Sequence, residues 1–225
     1  GFVPASCALG LCYEMGVGVE QDKAHAVELY QVGADVGYPP AACNLGFCYY
    51  MGIGVDEDNK KAAHWFAQAA QKGYPRALNL LGECYENGHG VEADPVKAFK
   101  LFEEAHRQGY DEATCSLGEC YDQGIGVEES NETAVEWFQK AVAAGSHRAE
   151  FLLGQCYDQG YGVEPDLKRA AGLYEAAHRG NYPPATCMLG LCYELGRGVD
   201  EDKARAVALY RQAAEQGDAR AQCCL

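Results

Sequence analysis

The chain has 225 residues, 33 acidic against 18 basic, for a formal charge of −15. That balance argues against a phosphate-backbone partner, which needs clustered Lys and Arg, and equally against adsorption to an anionic membrane. It leaves basic partners open, beside the plain reading of a soluble, self-repelling surface. No apolar run approaches the roughly 20 residues that span a bilayer, and no signal peptide is visible.

Leu-Gly-x-Cys-Tyr recurs with its glycine at Gly10, Gly46, Gly82, Gly118, Gly154 and Gly190, always 36 residues apart. A fixed period of this length signals an array whose units bury their apolar faces on one another. Residues 1–225 therefore read as one array of six full units and the start of a seventh. The last residue, Leu225, falls in the leucine column of Leu9, Leu45, Leu81, Leu117, Leu153 and Leu189, and the chain opens at Gly1. We expect a piece of a longer protein, or a processed one, without the polar caps that end such arrays.

Each unit reads as two helices. The first begins near an alanine (Ala5, Ala41, Ala77, Ala113, Ala149, Ala185, Ala221) and is often introduced by proline, as at Pro39, Pro40, Pro75, Pro183 and Pro184. Ala41, Leu45, Cys48 and Gly52 follow i, i+4, i+7, i+11 and form one face, the core face. A mid-helix glycine costs about 1 kcal/mol against alanine, so Gly46 and its copies imply close helix contact. Gly52-x-Gly54-Val55 is a turn with positive φ at both glycines, and Val55 returns to the core. The second helix opens on an N-cap, Asp22, Asp58, Asp94, Ser130, Asp166 or Asp202, with Pro95 in a first turn. Ala62, Trp65, Phe66 and Ala69 make its apolar stripe. It closes at Gly37, Gly73, Gly109, Gly145 and Gly217, with Asn181 as the other residue that accepts a left-handed C-cap.

The twelve cysteines fall into register. Six share the Cys48 column (Cys12, Cys48, Cys84, Cys120, Cys156, Cys192), five the Cys43 column (Cys7, Cys43, Cys115, Cys187, Cys223), and Cys224 stands alone. Five residues along a helix is about 7.5 Å of rise with side chains about 140° apart, beyond the reach of a disulfide. Helices in successive units, about 8–10 Å apart, are also too far. We expect free thiols and a reducing, cytoplasmic location. The Cys48 column shares the core face and reads as a small buried hydrophobe. The Cys43 column lies on another face, either buried or as a redox-sensitive or ligand-facing thiol.

The pattern Ala-x3-Leu-Gly-x2-Tyr-x2-Gly-x-Gly-Val-x2-Asp-x3-Ala-x2-[Leu/Trp]-[Tyr/Phe]-x2-Ala-x3-Gly resembles the Sel1-like repeat, a relative of the tetratricopeptide repeat, over the whole chain. The resemblance implies an all-α solenoid, a right-handed superhelix of α/α units with the first helices lining the concave side. It implies adaptor functions in complexes and signalling. Cysteine-rich secreted members bridge the end of one second helix to the start of the next first helix. Here the second-helix position holds Gly33, Ala34, Ala69 and Ala70, so secretion is not implied.

Catalytic signals are absent from the sequence. The histidines (His25, His64, His89, His106, His147, His178) occupy five columns, with no H-E-x-x-H and no nucleophile–base pair. Metal binding needs ligands such as C-x2-4-C, which the cysteine spacing does not supply. Gly16-Val17-Gly18 and its copies imitate half a phosphate loop but repeat at one turn. Asp56-Glu57-Asp58 and Asp200-Glu201-Asp202 read as caps and solvated turns, not cation sites. Cysteine-rich relatives have been associated with penicillin binding and β-lactam hydrolysis, yet none of Ser6, Ser116, Ser130 and Ser146 begins S-x-x-K. We expect no enzyme, no cofactor and no metal.

The variable positions lie on a fixed first-helix face, at 43, 47, 50 and 51 and their copies. Early units carry Leu11, Met15, Phe47, Tyr50 and Met51. Middle units carry Glu83, Glu86, Asn87, Glu119, Asp122, Gln123, Gln155 and Asp158. Late in the chain come Leu191 and Leu195, with Glu194 between them. If this face lines the groove, the groove has an acidic centre and apolar ends. The expected partner is a protein or peptide with apolar anchors near Phe47, Tyr50 and Met51 and basic residues facing Glu83, Glu86, Glu119, Asp122 and Asp158. The competing readings are solvated acids, and apolar ends that pack on flanking repeats. A further alternative is a purely architectural spacer.

Overall fold

The computed structural model describes residues 3–215. Among them are twelve helices of thirteen residues in strict alternation: α1 (Val3–Met15), α2 (Lys23–Asp35), α3 (Pro39–Met51), α4 (Asn59–Gln71), α5 (Pro75–Asn87), α6 (Pro95–Arg107), α7 (Asp111–Gln123), α8 (Asn131–Ala143), α9 (His147–Gln159), α10 (Leu167–Arg179), α11 (Pro183–Leu195) and α12 (Lys203–Glu215). No strand occurs among these residues. The first helices begin two residues before the expected alanine. Pro39, Pro75 and Pro183 occupy N1, where the missing N–H leaves no bond unmade.

The expected caps form. Asp22, Asp58, Asp94 and Asp166 accept from the backbone N–H three residues on, at 2.9–3.1 Å, as does Asp202. Ser130 does the same for Thr133 at 3.2 Å. Gly37, Gly73, Gly109 and Gly145 are left-handed after the second helices, and Asn181 (φ 63°) stands in for them. Gly217, like Ala221, Cys223, Cys224 and Leu225, lies outside the described residues. Gly52 is the left-handed cap of α3 rather than part of its buried face. Ile53 N–H then donates to Cys48 O, and Asp58 N–H to Tyr49 O, both at 2.9 Å. This holds the next N-cap against the helix just ended. Gly54 is left-handed too, and a Cβ there would sit 2.3 Å from Lys23 O, so the turn rests on the second helix of the preceding repeat. Val55 is half-buried against the core.

The chain divides into two compact units, residues 1–113 with 125–127, and residues 114–124 with 128–225. In the first, α1 to α5 pack in sequence order and α5 pairs with α6. Its core is Ala41, Leu45, Cys48, Ala62, Phe66 and Ala69 with their copies, and a smaller cluster joins Leu78, Ala105 and Ala113. In the second, α8 to α12 pack in the same way around Phe138, Leu153, Tyr174, Leu189 and Tyr210. One aromatic from each second helix is buried: Tyr30, Phe66, Phe102, Phe138, Tyr174 and Tyr210. Each contributes about 1.5–3 kcal/mol through burial. These rings explain the mid-helix glycines. A Cβ on Gly46 would lie 2.8 Å from Phe66, and the other five copies meet their own ring at 2.5–2.7 Å. Leu9 departs from its column at 43% exposure, because it sits on the first described helix.

Candidate functional site

The variable face is carried by the first helices of both units. In the first unit Leu11, Met15 and Met51 are exposed, Met15 by 69% and Met51 by 56%. Phe47 is half-buried under the guanidinium of Arg76, 5.3 Å from its ring centre, and Arg76 Nη1 donates to Asn44 Oδ1 at 3.0 Å. Tyr50 Oη lies 3.2 Å from His89 Nδ1. Burial, and then the charge of Glu83, raises the pKa of the Tyr50 phenol. Glu83 accepts from the buried Asn79 amide at 2.8 Å, and Asn87 donates to Glu83 O at 3.0 Å. Glu86 is half-buried.

In the second unit the acids differ sharply. Glu119 is held by Arg148 Nη2, at 2.7 Å to Oε1 and 2.6 Å to Oε2. Asp158 is buried, its side chain 4% exposed, and pairs with Arg197 Nη2 at 2.8 Å. Asp122 is half-buried and makes no such contact, and burial raises its pKa, with Glu129 adding to the shift. With Gln155, Gln159 and Tyr161 it lines a cleft of 530 Å³. Gln123 and Leu195 are exposed and Leu191 is half-buried.

The arginines and histidine that meet this face escaped sequence reasoning. Their signal is a fixed offset. Arg76 and Arg148 stand 29 residues after Phe47 and Glu119, and His89 and Arg197 stand 39 after Tyr50 and Asp158. A second offset of 12 sets a cation over the repeated tyrosine: Lys61 on Tyr49, Lys97 on Tyr85, Arg169 on Tyr157 and Arg205 on Tyr193, at 4.2–5.2 Å. Such contacts anchor these four second helices to their first helices.

The ten described cysteines are free, and all but Cys12 are buried. The Cys43 column is as buried as the Cys48 column. Desolvation pushes Cys43, Cys48, Cys84 and Cys115 up to about 12, far from a reactive thiolate. Ser130 and Ser146 are N-caps and Ser116 is buried. His25 and His147 each meet a glutamate three residues on, and His64 meets Gln68. No group of three or more His, Cys, Asp or Glu among the described residues is placed to hold a metal ion. Nor is any described helix long and apolar enough to cross a membrane.

The family model of the Sel1 repeat matches six times, at residues 3–38, 39–74, 75–110, 111–146, 147–181 and 183–218. No curated protein sequence matches the chain. A Sel1 repeat protein from Oxalobacter formigenes superposes with a TM-score of 0.87 at 26% identity, over 94% of this chain and 84% of that one. The protective antigen c5321 of uropathogenic Escherichia coli strains, described as having an SLR fold, gives 0.72 at 33% identity. The alignment covers 99% of this chain and 48% of the antigen, so the chain spans about half its length. Immunity protein Pa5087 from Pseudomonas aeruginosa shares the fold, with a TM-score of 0.64 at 19% identity over 94% of this chain and 81% of its own. Proteins built from Sel1 repeats generally act as scaffolds that bind other proteins. Six consecutive matches, the all-α helix pairs and the 36-residue register together place the chain in the Sel1 repeat family.

Proposed function

We propose that the chain is a non-enzymatic scaffold that binds a protein or peptide segment along the first-helix faces of its two units. The observation that carries this reading is the exposure of Met51 on α3, where the packing positions Leu45 and Cys48 are buried, with Leu11 and Met15 exposed at the matching positions of α1. Large apolar side chains clustered on a surface mark interaction sites, and methionine adapts to varied partners. The same face supplies anchors around Phe47 and Tyr50 in the first unit, and Leu191 and Leu195 in the second. Between them the chain carries Glu83, Glu86, Asn87, Glu119, Asp122, Gln123, Gln155 and Asp158. Basic residues of a partner suit Glu83 and Glu86 in the first unit and Asp122 in the second, since Glu119 and Asp158 are held by Arg148 and Arg197, and apolar residues suit the exposed side chains of either unit. The capping serines and buried thiols support a role without catalysis, and the unbridged state of the described cysteines suits a reducing compartment such as the cytoplasm.

The test is selection from a displayed random peptide library on the purified chain, followed by calorimetry of the selected segments. Met15→Ser with Met51→Ser should lose binding to apolar anchors. Glu83→Gln with Glu86→Gln should weaken binding to basic residues and flatten its salt dependence. No selected segment, or affinities unchanged in both variants, would reject the reading and favour a spacer.

A further inference from the structure

This inference rests on the peptide-binding reading and narrows it to one subsite. The repeat position of Asp122 is held elsewhere by Glu14, Tyr50, Glu86, Asp158 and Glu194. At four of these five positions the chain supplies a partner in one of two ways. One is a hydroxyl from the buried aromatic of the second helix: Tyr30 donates to Glu14 at 2.6 Å, and Tyr210 to Glu194 at 2.7 Å. The other is a side chain 39 residues on, where His89 meets Tyr50 at 3.2 Å and Arg197 meets Asp158 at 2.8 Å. At Asp122 both are withdrawn. The aromatic is Phe138, which has no hydroxyl, and the residue 39 on is Tyr161, neutral and 54% exposed. Asp122 is left half-buried and without a counter-charge, beside a second carboxylate, Glu129, in a cleft of 530 Å³. That volume falls in the range of ligand sites.

We propose that the Asp122 cleft seats one arginine side chain of the bound segment, its guanidinium taking against Asp122 the place that Arg197 takes against Asp158. The lining fits this occupant. Asp122 and Glu129 supply the negative charge, Gln155 and Gln159 offer amide oxygens to the remaining N–H groups, and the Tyr161 ring offers a face for stacking. Arginine is favoured over lysine because its five donors lie in a planar fork, which several acceptors around one cleft can satisfy together.

The experiment uses the full chain and two probes. One is N-acetyl-arginine amide, with N-acetyl-norleucine amide as the neutral control, followed by amide chemical shifts. The other is the set of segments selected by display. The expected result is saturable shifts confined to residues around Asp122, Gln155, Gln159 and Tyr161 with the arginine probe only. Affinity should fall by about tenfold or more in Asp122→Asn, in line with a charge-assisted contact, and should not change in Glu83→Gln. Tyr161→Arg, which installs an internal counterpart of Arg197, should also block the probe while leaving the fold intact. Absent shifts, shifts scattered over every exposed acid, or equal affinity in Asp122→Asn would overturn the subsite. If selected segments bind but are indifferent both to Asp122→Asn and to their own Arg→Gln change, the subsite fails and the scaffold reading stands. If the probe seats at Asp122 and no segment binds, the subsite stands and the scaffold reading fails.

Discussion

Two glycines of the same repeat should respond to alanine with opposite signs. Gly154 in α9 and Gly172 in α10 both sit inside helices, so each substitution gains about 1 kcal/mol of helix propensity. A Cβ at Gly172 meets nothing within 4 Å, so Gly172→Ala should keep that gain as about 0.5–1 kcal/mol of added stability. A Cβ at Gly154 would lie 2.7 Å from Tyr174 Cε1 and 2.9 Å from Cδ1. Carbon atoms in contact prefer about 3.5–4.0 Å, so the overlap approaches a full ångström. Tyr174 is fully buried and cannot swing into solvent. Overpacking of this kind costs about 1–3 kcal/mol, which cancels or exceeds the propensity gain. Gly154→Ala should therefore fall about 1–3 kcal/mol below Gly172→Ala, from the same arithmetic. Urea denaturation of both variants, compared at equal m-value, measures the difference. Equal stabilisation by the two would refute the claim that the glycine column exists to admit the aromatic ring.

Three further outcomes follow from individual side chains. Tyr174 Oη is buried with no partner among the described residues, since the Asp158 carboxylate is engaged by Arg197, whereas Tyr30 Oη donates to Glu14. Tyr174→Phe should be neutral or stabilising by about 1 kcal/mol and Tyr30→Phe destabilising by about 1–2 kcal/mol; equal losses in urea denaturation would mean that the Tyr174 hydroxyl is satisfied. Burial beside the Thr186 hydroxyl lowers the pKa of His178, against the opposing charge of Glu175 and with help from Arg205 and Arg179. The unfolded chain then binds more protons, so this stability is present above the ordinary histidine value of about 6.5 and is lost as pH falls through the folded one. The caps Asp58 and Asp94, lowered by backbone N–H bonds, lose their contribution further down as pH falls through the folded carboxylate values. Denaturation midpoints from pH 8 to 3 should show both falls, and His178→Gln should remove the upper one. At pH 8, alkylation followed by peptide mass mapping should label Cys12 before the other nine described cysteines; early labelling of Cys43 or Cys115 would contradict their burial.

Most of the backbone could be read from the chain because its determinants are local. An aspartate that caps three residues away, a glycine that takes a left-handed turn and a proline at N1 act within one helical turn, so Asp58, Gly54 and Pro75 announce themselves in sequence. The core stripe followed for the same reason, with Gly52 misassigned because the fourth position of the pattern falls one residue beyond the helix. The second cysteine column was harder. Whether Cys43 faces solvent depends on what the neighbouring repeat covers, and periodicity within one helix does not carry that information.

The face of variable residues shows the division most clearly. Cys-Tyr-Asp-Gln-Gly occurs twice, at residues 120–124 and 156–160, so local sequence makes Asp122 and Asp158 equivalent. In the structure Asp158 is buried against Arg197, while Asp122 faces a cleft with no cation beside it. The sequence alone determined the repeat, its helices, its caps and the register of this face. Tertiary structure alone decided which acids on it are already neutralised, because a carboxylate's state depends on the side chain that stacking brings within about 3 Å, and that side chain belongs to the next repeat, 29 or 39 residues away.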